Sequence, residues 1–313
     1  MKDKSAINLR KSRIRGSVEN HSKFQDHDGD IMSLATKNVI TIPPSKSIKE
    51  TAQIMVEHNF RRLPVTDPGS GKLLGIVTVM DILDFLGGGD KFKIIQNKYQ
   101  DNFLAAINEP VREIMTRSVI SVSSKDSLSK ALDLMLDEKV GAIPILDSDD
   151  KVTGIITERD FALSLAGVLT EELVEEFMTK NVITTTPGTP IESASKIMVR
   201  NALRRIPIIG EDVDLATTSP DKLLGVITAT DIMKFFNDKE LFTTMKSPNA
   251  SDVLDKKISE IMTTSLINVE PLTRLGDVCE IFKENVIGGL HVVKDGQLVG
   301  IITEKDILKA IKS

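Results

Sequence analysis

The sequence predicts an α/β protein, with α+β repeats, in which four β-α-β-β-α repeats pair into two modules. Two observations support this fold class. A pattern of glycine, two β-branched residues, threonine, two variable residues and aspartate occurs four times, with its aspartates 79, 71 and 75 residues apart. The 313 residues also suffice for two globular domains of about 150 residues each. A repeat of this length indicates that one supersecondary unit is stacked several times.

The first half of the unit predicts a strand followed by a helix. In repeat 1 a short β-branched run at 39–42 predicts the strand, which ends at Pro43. After Ser47 the apolar residues fall at helical spacing, so we expect a helix with Ser47 as its N-cap. Related starting segments, TRSVIS, TKNVIT and TTSLIN, occur at the corresponding places in the other repeats.

The second half of the unit predicts two strands and a second helix. Apolar runs at 63–65 and 73–77 flank the turn signal TDPGSG, which predicts a hairpin-type connection. Thr78 then begins a helix that ends at the three glycines 87–89. A unit of about 55 residues with three short strands cannot cover both faces of its sheet. A neighbouring repeat is therefore expected to complete each core.

These elements divide the chain into seven segments. The first is distinguished by its charge, because 1–15 contains six basic residues and one acid. Apolar residues between repeats 1 and 2 predict a packed linker helix. The predicted segments are an N-terminal basic and polar arm at 1–30, repeat 1 at 31–88, a linker helix at 89–110, repeat 2 at 111–168, repeat 3 at 171–237, a linker at 238–257 and repeat 4 at 258–313.

The repeated segments resemble CBS (cystathionine-β-synthase-type) domains, which assemble in twos as Bateman modules. The resemblance rests on V-I-T at the start of the unit, an apolar residue, proline and valine in its middle and G-h-h-T-x-x-D at its end, and it covers 31–313. Four repeats with nothing else attached are similar to the archaeal four-CBS proteins and to the gamma subunit of AMP-activated protein kinase. The resemblance implies that adenosine compounds bind between paired repeats: AMP, ADP or ATP, and in some members S-adenosylmethionine.

The T-x-x-D element has two interpretations. A threonine at a strand-to-helix junction with an acid three residues later is a capping box, which satisfies backbone N–H groups at the start of the helix. A carboxylate here can also accept from both hydroxyls of a ribose, and a threonine at a helix N-terminus suits a phosphate. The candidate ribose-binding residues are Asp81, Asp160, Asp231 and Asp306, and the candidate phosphate-binding threonines are Thr78, Thr157, Thr228 and Thr303.

The middle element distinguishes odd from even repeats. Repeats 1 and 3 carry arginine pairs where repeats 2 and 4 carry small residues, and the even repeats place a basic residue before the aspartate. Because guanidinium groups bind phosphate oxygens bidentately, each module has a basic set for an anionic tail. The alternative is that these cations are solvated or pair with Glu158 and Glu304. The candidate phosphate-binding residues are Arg61, Arg62, Arg204, Arg205, Arg159 and Lys305.

The resemblance also implies that the V-I-T segments recognise adenine through their backbone groups. The candidate adenine-binding residues are Thr36, Ile40, Thr116, Ile120, Thr179, Ile183, Thr263 and Ile267. Since the chain has one tyrosine and no tryptophan, apolar side chains are expected to hold the base. In repeat 4, His291 replaces the proline found before the second apolar strand, and a structural turn histidine is expected there. Core positions are expected for Cys279 and for Met55, Met135 and Met198.

The expected function is regulation by an adenine nucleotide. The net charge of −5 does not favour a broad nucleic-acid surface. The short basic arm nevertheless leaves a nucleic-acid-binding regulator as an alternative, beside a sensor of S-adenosylmethionine. The sequence offers no nucleophile-base pair, Walker loop or metal-ligand cluster, so no enzyme, metal or cofactor is expected. A single cysteine and the lack of signal or membrane segments indicate a cytoplasmic protein. The expected partners are adenine nucleotides and an unknown protein, a homodimer is left open, and nucleic acid is not favoured.

Overall fold

The computed structural model describes residues 30–169, 171–210, 222–238, 241 and 247–313. The predicted basic arm, apart from Asp30, and part of the predicted linker at 238–257 lie outside the described residues. The strands are β1 (Arg62–Thr66), β2 (Leu73–Thr78), β3 (Val122–Ser123), β4 (Ala142–Leu146), β5 (Val152–Thr157), β6 (Arg205–Gly210), β7 (Lys222–Thr228), β8 (Asn268–Val269), β9 (Gly289–Lys294) and β10 (Gln297–Thr303). The helices are α1 (Ile48–Glu57), α2 (Val79–Leu83), α3 (Lys93–Tyr99), α4 (Phe103–Ala106), α5 (Leu128–Asp137), α6 (Glu158–Ser164), α7 (Val174–Phe177), α8 (Ile191–Arg200), α9 (Ala229–Phe236), α10 (Ser251–Leu254), α11 (Leu275–Asn285) and α12 (Glu304–Lys312).

Repeat 1 contains the predicted order of helix, two strands and helix. Ser47 is the N-cap of α1, and its hydroxyl oxygen accepts a hydrogen bond from the N–H of Glu50 at 3.2 Å. Strands β1 and β2 form an antiparallel pair. Thr78 begins α2, which continues as a wider π-helical turn and ends at Gly88. The predicted mixed α/β repeat is therefore confirmed.

The first predicted strand of each unit is shorter than expected. It spans two residues in the even repeats, where β3 and β8 pair in parallel with β4 and β9. In repeat 1 a single parallel bridge joins Ile42 to Val65, and in repeat 3 one joins Thr185 to Ile208. The prediction of a strand over 39–42 is wrong, because only its last residue pairs with the sheet. The preceding backbone at 38–40 instead lines a cavity.

Backbone bridges pair repeat 1 with repeat 2 and repeat 3 with repeat 4, as predicted. In each pair the starting segment of one repeat bridges the last strand of the other, and the exchange is mutual. The four bridges are Thr36 to Ile155, Thr116 to Ile76, Thr179 to Ile301 and Thr263 to Val226. Each bridge therefore joins a starting segment to the partner repeat at a residue two positions before the threonine of that repeat's T-x-x-D element.

Buried apolar side chains join the repeats differently. One cluster unites α1 and α2 of repeat 1 with α8 and α9 of repeat 3, and a second cluster unites repeat 2 with repeat 4. Helices α2 and α9 are in contact in the first cluster, as are α6 and α12 in the second. The expectation that the sequence neighbour completes each core is therefore wrong. The sheets pair within a module, whereas each module covers the helices of the other.

The connection between repeats 1 and 2 is not the single linker helix predicted at 89–110. It contains two short helices, α3 and α4, separated by the left-handed residues Gln100 and Asp101. Asn102 begins α4 and accepts a hydrogen bond from the N–H of Ala105 at 3.1 Å. Phe103 is fully buried and contacts the ring of Phe236 in repeat 3, with the ring centroids 5.6 Å apart. The linker thus contributes to the core that repeats 1 and 3 share.

The position of His291 corrects another expectation. His291 lies within β9, opposite Ile301, and is 4% exposed. It is not a turn histidine, because the proline positions of this element belong to the strand itself, as Pro64 does in β1. The expected core positions are confirmed by burial of Cys279, Met55, Met135 and Met198.

Candidate functional site

A cavity of about 480 Å³ lies where the four repeats meet. Its described lining comes from all four repeats and includes most of the cations in the predicted site. The cationic lining residues are Arg61, Arg62, Arg159, Arg204, Arg205 and Lys234, and the carboxylates are Glu158, Asp160, Asp231 and Glu304. The cations outnumber the carboxylates by two, so the wall suits an anionic ligand.

One side of this cavity brings together predicted residues of repeats 1 and 2. The backbone N–H of Thr36 donates to the carbonyl oxygen of Ile155 at 2.9 Å, and the reverse bond is also 2.9 Å. This pairing holds 36–40 beside Thr157 and Asp160, and all of these except Lys37 line the cavity. We call 36–40 with Thr157 and Asp160 the first cradle.

The opposite side repeats this arrangement in repeats 3 and 4. Thr263 exchanges two backbone hydrogen bonds of 2.9 Å with Val226. The pairing holds 263–267 beside Thr228 and Asp231, and these residues, apart from Thr264, also line the cavity. We call 263–267 with Thr228 and Asp231 the second cradle. The two cradles open into the same cavity, which sequence reasoning did not anticipate.

Large apolar side chains are exposed in both cradles. Ile40 and Phe60 line the cavity beside the first cradle, and each is more than a third exposed. Ile267 and Val286 do the same beside the second. Exposed apolar groups that converge on a cavity are typical of ligand sites. Phe60 and Val286 were missed in the sequence, although Phe60 lies one position and Val286 two positions before the middle element of its repeat.

Each of the four T-x-x-D elements forms a capping box. In each, the aspartate Oδ2 accepts hydrogen bonds from the threonine N–H and the threonine hydroxyl, at 2.6 to 3.0 Å. The structural interpretation of this element is therefore correct for all four copies. It leaves Oδ1 of each aspartate for a second partner, so capping and ribose binding are compatible.

The second oxygen distinguishes the four aspartates. Oδ1 of Asp81 accepts from the ammonium group of Lys91, and Oδ1 of Asp306 accepts from that of Lys309 at 2.7 Å. Neither aspartate lines the central cavity, and neither do Thr78 and Thr303. Asp160 and Asp231 do line it, and no bond to their Oδ1 is found among the described residues. The structure thus sorts the four predicted ribose acids into two pairs.

Three of the predicted phosphate-binding arginines are paired with buried glutamates. Arg61 donates to Glu304 at 2.7 Å, and Arg159 donates to the same carboxylate at 3.0 Å. Arg204 donates to Glu158 at 2.6 Å. This was the alternative left open from the sequence. Burial would raise the pKa of Glu304, but the nearby arginines, Arg61 foremost, outweigh burial and lower it. These ion pairs connect the first module to the second.

Arg62 and Arg205 have no carboxylate partner among the described residues. Arg62 donates to the carbonyl oxygen of Gly141. Burial, followed by the charge of Arg204, lowers the pKa of Arg62 to about 10. Burial and the charge of Arg61 likewise lower the pKa of Arg205 to about 10. Both groups remain cationic at neutral pH, and both would be stabilised by an anion.

The small residues of the even repeats make room for these arginines. A Cβ atom on Gly288 would lie 2.6 Å from a guanidinium nitrogen of Arg61, and one on Gly289 would lie 2.2 Å from a nitrogen of Arg205. A Cβ on Gly141 would lie 2.9 Å from the carboxylate of Glu158. The difference between odd and even repeats is therefore steric complementarity: arginine in one repeat crosses glycine in another.

Two further ionisable groups in the cavity wall have unusual surroundings. Burial raises the pKa of Asp160, although hydrogen bonds from Thr157 oppose this effect. Burial and the charge of Arg205 lower the pKa of His291 to about 4. Neither ring nitrogen of His291 has a hydrogen-bond partner in the described part of the chain. His291 is thus a neutral, buried and unsatisfied polar group beside a cation.

The remaining predicted site residues lie away from this cavity. The segments with Thr116 and Ile120 and with Thr179 and Ile183 bridge the strands that precede Asp81 and Asp306, respectively. Lys305, half-buried, is not part of the lining either. Two candidate cradles therefore share the cavity, and the other two lie elsewhere.

Comparison with known proteins identifies a relative that is similar over nearly the whole chain. Protein MJ1225 of Methanocaldococcus jannaschii is 37% identical over 282 residues, which are 89% of this chain and 98% of that protein. Its crystal structure, described as that of a candidate archaeal homologue of γ-AMPK, matches with a TM-score of 0.83 over 90% of this chain and 99% of that chain. The similarity thus extends over nearly the whole length of both proteins.

Two solved structures of single CBS-domain pairs contain adenosine compounds. CBSX2 of Arabidopsis thaliana, in complex with AMP, is 28% identical, covers 43% of this chain and 93% of its own, and has a TM-score of 0.35. The CBS domain pair of MJ0100, in complex with 5′-methylthioadenosine and S-adenosyl-L-methionine, is 29% identical, covers 43% of this chain and 94% of its own, and has a TM-score of 0.35.

The family assignment rests on the match to the CBS domain itself. The family model matches this chain four times, at 29–88, 111–167, 174–238 and 258–313. In the parts of the chain described by the structure, no helix is both long and apolar enough to cross a bilayer. With four matched domains and a relative similar over its full length, the chain belongs to the CBS-domain family.

Proposed function

We propose that this protein is a regulatory protein, and not an enzyme, that binds adenosine nucleotides in its central cavity. The observation that carries the proposal is that two cradles of the same construction open into one cavity with a cluster of half-buried arginines. Each cradle supplies exposed apolar side chains, a backbone outside any sheet ladder and a carboxylate with one oxygen available. These are the groups that a base, a ribose and a phosphate require.

The nucleoside is assigned to the cradles. Asp160 and Asp231 would accept hydrogen bonds from the ribose hydroxyls through Oδ1, because Oδ2 is used by the capping box. Ile40 with Phe60, and Ile267 with Val286, would cover the faces of the adenine ring. The backbone of 38–40 and of 265–267 would supply hydrogen bonds to its edge, which explains why these segments do not pair as strands.

The phosphates are assigned to Arg62 and Arg205. Arg61, Arg159 and Arg204 already have carboxylate partners, whereas these two half-buried guanidinium groups have none among the described residues. An anion between them would offset the cost of their burial, and hydrogen bonds to charged groups are worth about 1.5–3 kcal/mol. AMP, ADP and ATP are therefore favoured over a ligand without phosphate.

The regulatory part of the proposal follows from where the phosphates would lie. The ion pairs Arg61–Glu304 and Arg204–Glu158 join the two modules at the same cavity. Nucleotides that differ in phosphate number would compete differently with these pairs and so shift the relative position of the modules. Differential affinity for two arrangements is what allows a ligand to signal to a partner protein. A receiving protein, a homodimer and a cytoplasmic location remain proposals.

Calorimetry with AMP, ADP, ATP, adenosine and S-adenosylmethionine tests the proposal. The informative variants are Asp160→Asn and Asp231→Asn, because asparagine still accepts the capping hydrogen bonds but lacks the charge. Each should weaken AMP binding about tenfold to a hundredfold at its own cradle. Asp126→Asn, at a half-buried acid that lies outside the cavity lining and accepts from the Ser123 N–H at 2.7 Å, is the control and should have no effect.

Phosphate recognition is tested separately with Arg62→Gln and Arg205→Gln. Both should weaken AMP and leave adenosine nearly unchanged, since adenosine has no phosphate. If D160N and D231N bind AMP as the unaltered protein does, the ribose assignment is wrong. Binding of S-adenosylmethionine that is tighter than that of all three nucleotides would assign the cavity to that ligand instead.

A further inference from the structure

We propose that Lys91 closes a third adenosine site, at Asp81, by occupying the position where a ribose would bind. The inference rests on the proposed function, because it takes the T-x-x-D carboxylate as the ribose group. It adds a residue that decides how many of the four repeats bind a nucleotide. The sequence motif concerned is the stretch GGGDK at 87–91, which is part of neither cradle.

The carboxylate of Asp81 has the same geometry as those of the two cradles except for this lysine. Its Oδ2 accepts from the N–H and the hydroxyl of Thr78, each at 2.7 Å, as in the other repeats. The starting segment of repeat 2 bridges β2 at Ile76, so a cradle of the usual construction is present. The difference lies at Oδ1, where the ammonium group of Lys91 donates a hydrogen bond. A ribose hydroxyl needs that same oxygen.

The three glycines direct Lys91 to this position. Gly87 has a φ of +115°, which favours glycine, and it follows α2 in the π-helical turn. A Cβ on Gly88 would lie 2.5 Å from the side chain of Val199, and one on Gly89 would lie 2.7 Å from the carboxylate of Asp84. The glycine backbone therefore packs tightly against α8, which contains Val199, and turns back onto its own helix at Asp84.

Hydrogen bonds then hold both the backbone and the side chain of Lys91. The backbone N–H of Lys91 donates to Oδ1 of Asp84 at 2.9 Å, and its side chain reaches Asp81 one turn earlier on the same helical segment. The lysine side chain is 28% exposed and the Asp81 side chain is 11% exposed. A partly buried pair held by a fixed backbone is not easily exchanged for a ligand.

The pair at Asp306 is of a different kind. Lys309 lies one helical turn after Asp306 on α12 and is 49% exposed. The Asp306 side chain itself is only 4% exposed, so the difference lies in the lysine, whose half-exposed ammonium group can turn away into water and leave Oδ1 to a ligand. Repeat 3 has Lys234 at the same offset from Asp231, and that lysine lines the central cavity. We therefore assign the closing function to Lys91 alone.

Titration calorimetry with AMP on the full chain tests the inference. Lys91→Met should bind one more AMP per chain than the unaltered protein, with the extra site lost again in Lys91→Met/Asp81→Asn. Lys93→Met is the matched control, since Lys93 pairs with the exposed Asp90, three positions earlier in the chain. It should leave the number of sites unchanged.

A second variant keeps the test decisive if K91M does not fold. Asp81→Asn in the unaltered background should change neither the number of AMP sites nor their affinity by more than about twofold, while Asp160→Asn removes or weakens a site. An unchanged number of sites in folded K91M, or a loss of AMP binding in D81N, would overturn the inference while leaving the proposed function intact. Absence of AMP binding in all of these proteins would overturn the proposed function and the inference together.

Discussion

The charged residues of the central cavity come from all four repeats, and the partner of each one decides whether a ligand can reach it. The four aspartates and the arginine pairs were found from the repeat, because chemically equivalent residues recur at fixed offsets. Which of them are available to a ligand was not predictable, since the partners of Glu158 and Glu304 come from other repeats and Lys91 reaches Asp81 only because the chain turns back after α2. Arg61 and Glu304 are 243 positions apart, and only the folded chain brings them to 2.7 Å.

His291 gives a prediction about the pH dependence of stability. Its pKa is lowered to about 4 in the folded chain, against a usual value near 6.5. As the pH falls below 6.5, the unfolded chain gains a proton that the folded chain does not take up, so the free energy of unfolding decreases. Above pH 6.5 this contribution is constant. The expected loss between pH 7 and pH 5 is about 2 kcal/mol.

Urea denaturation of the unaltered chain and of His291→Leu, at pH 7 and pH 5, measures this loss. The leucine variant should lose about 2 kcal/mol less between the two pH values, because it has no group to protonate. The interval lies above the pKa of Glu304, which is lowered below its usual value, so that carboxylate does not titrate in it. Equal losses in the two proteins would show that His291 is protonated in the folded state.

At the scale of elements, the strands and helices of the repeat were predictable from hydrophobic period and from breakers. β1, β2, α1 and α2 occur where the pattern in repeat 1 places them. The starting strand was not predictable, because its β-branched residues have strand propensity but only Ile42 pairs with the sheet in the folded chain. The segment at 89–110 also differs from the single helix predicted for it, since the left-handed residues Gln100 and Asp101 divide it into two helices. The boundaries of the seven segments remain predictions.

The crossing of arginine over glycine predicts the effect of adding one methyl group. Gly289→Ala would place a Cβ 2.2 Å from a guanidinium nitrogen of Arg205, so the arginine must move from its position. We expect a loss of about 1–3 kcal/mol in the free energy of unfolding, the usual cost of overpacking. Gly188→Ala is the control, since nothing lies within 4 Å of its added Cβ.

Thermal or urea unfolding of both glycine variants distinguishes this mechanism from a general effect of alanine. G188A should be as stable as the unaltered chain, or slightly more so, because alanine restricts the unfolded state. AMP affinity should also fall in G289A, since Arg205 is assigned to phosphate. A G289A protein with unaltered stability and affinity would show that Arg205 has room to move without loss.

The whole molecule is held together by contacts of two kinds that run in different directions. Sheets and backbone bridges pair the repeats within a module, and the apolar helical faces pair them between modules. The first kind was predictable, because adjacent repeats of this length must share a sheet face. The second was not, since all four repeats have similar apolar faces and the sequence does not say which two face each other.

These shared cores predict that the two modules unfold together. Separating them would expose the buried faces of α2 and α9, together with those of α6 and α12. Scanning calorimetry of the full chain should therefore show a single transition, with equal calorimetric and van't Hoff enthalpies. Two resolved transitions, each with about half of the enthalpy, would contradict this expectation and indicate modules that are stable on their own.

The alternation of arginine and glycine around the cavity also bears on how four repeats can be duplicated from fewer. Repeats 1 and 3 both begin with TKNVIT and both carry the arginine pair, whereas repeats 2 and 4 share the small residues and the ends ITERD and ITEKD. Copying a single repeat three times would have set arginine against arginine at every crossing. Duplicating a unit of two repeats once keeps arginine opposite glycine at each crossing. A single module thus carries both the arginines and the glycines of the pattern, so two copies of one module would be complementary to each other across the cavity.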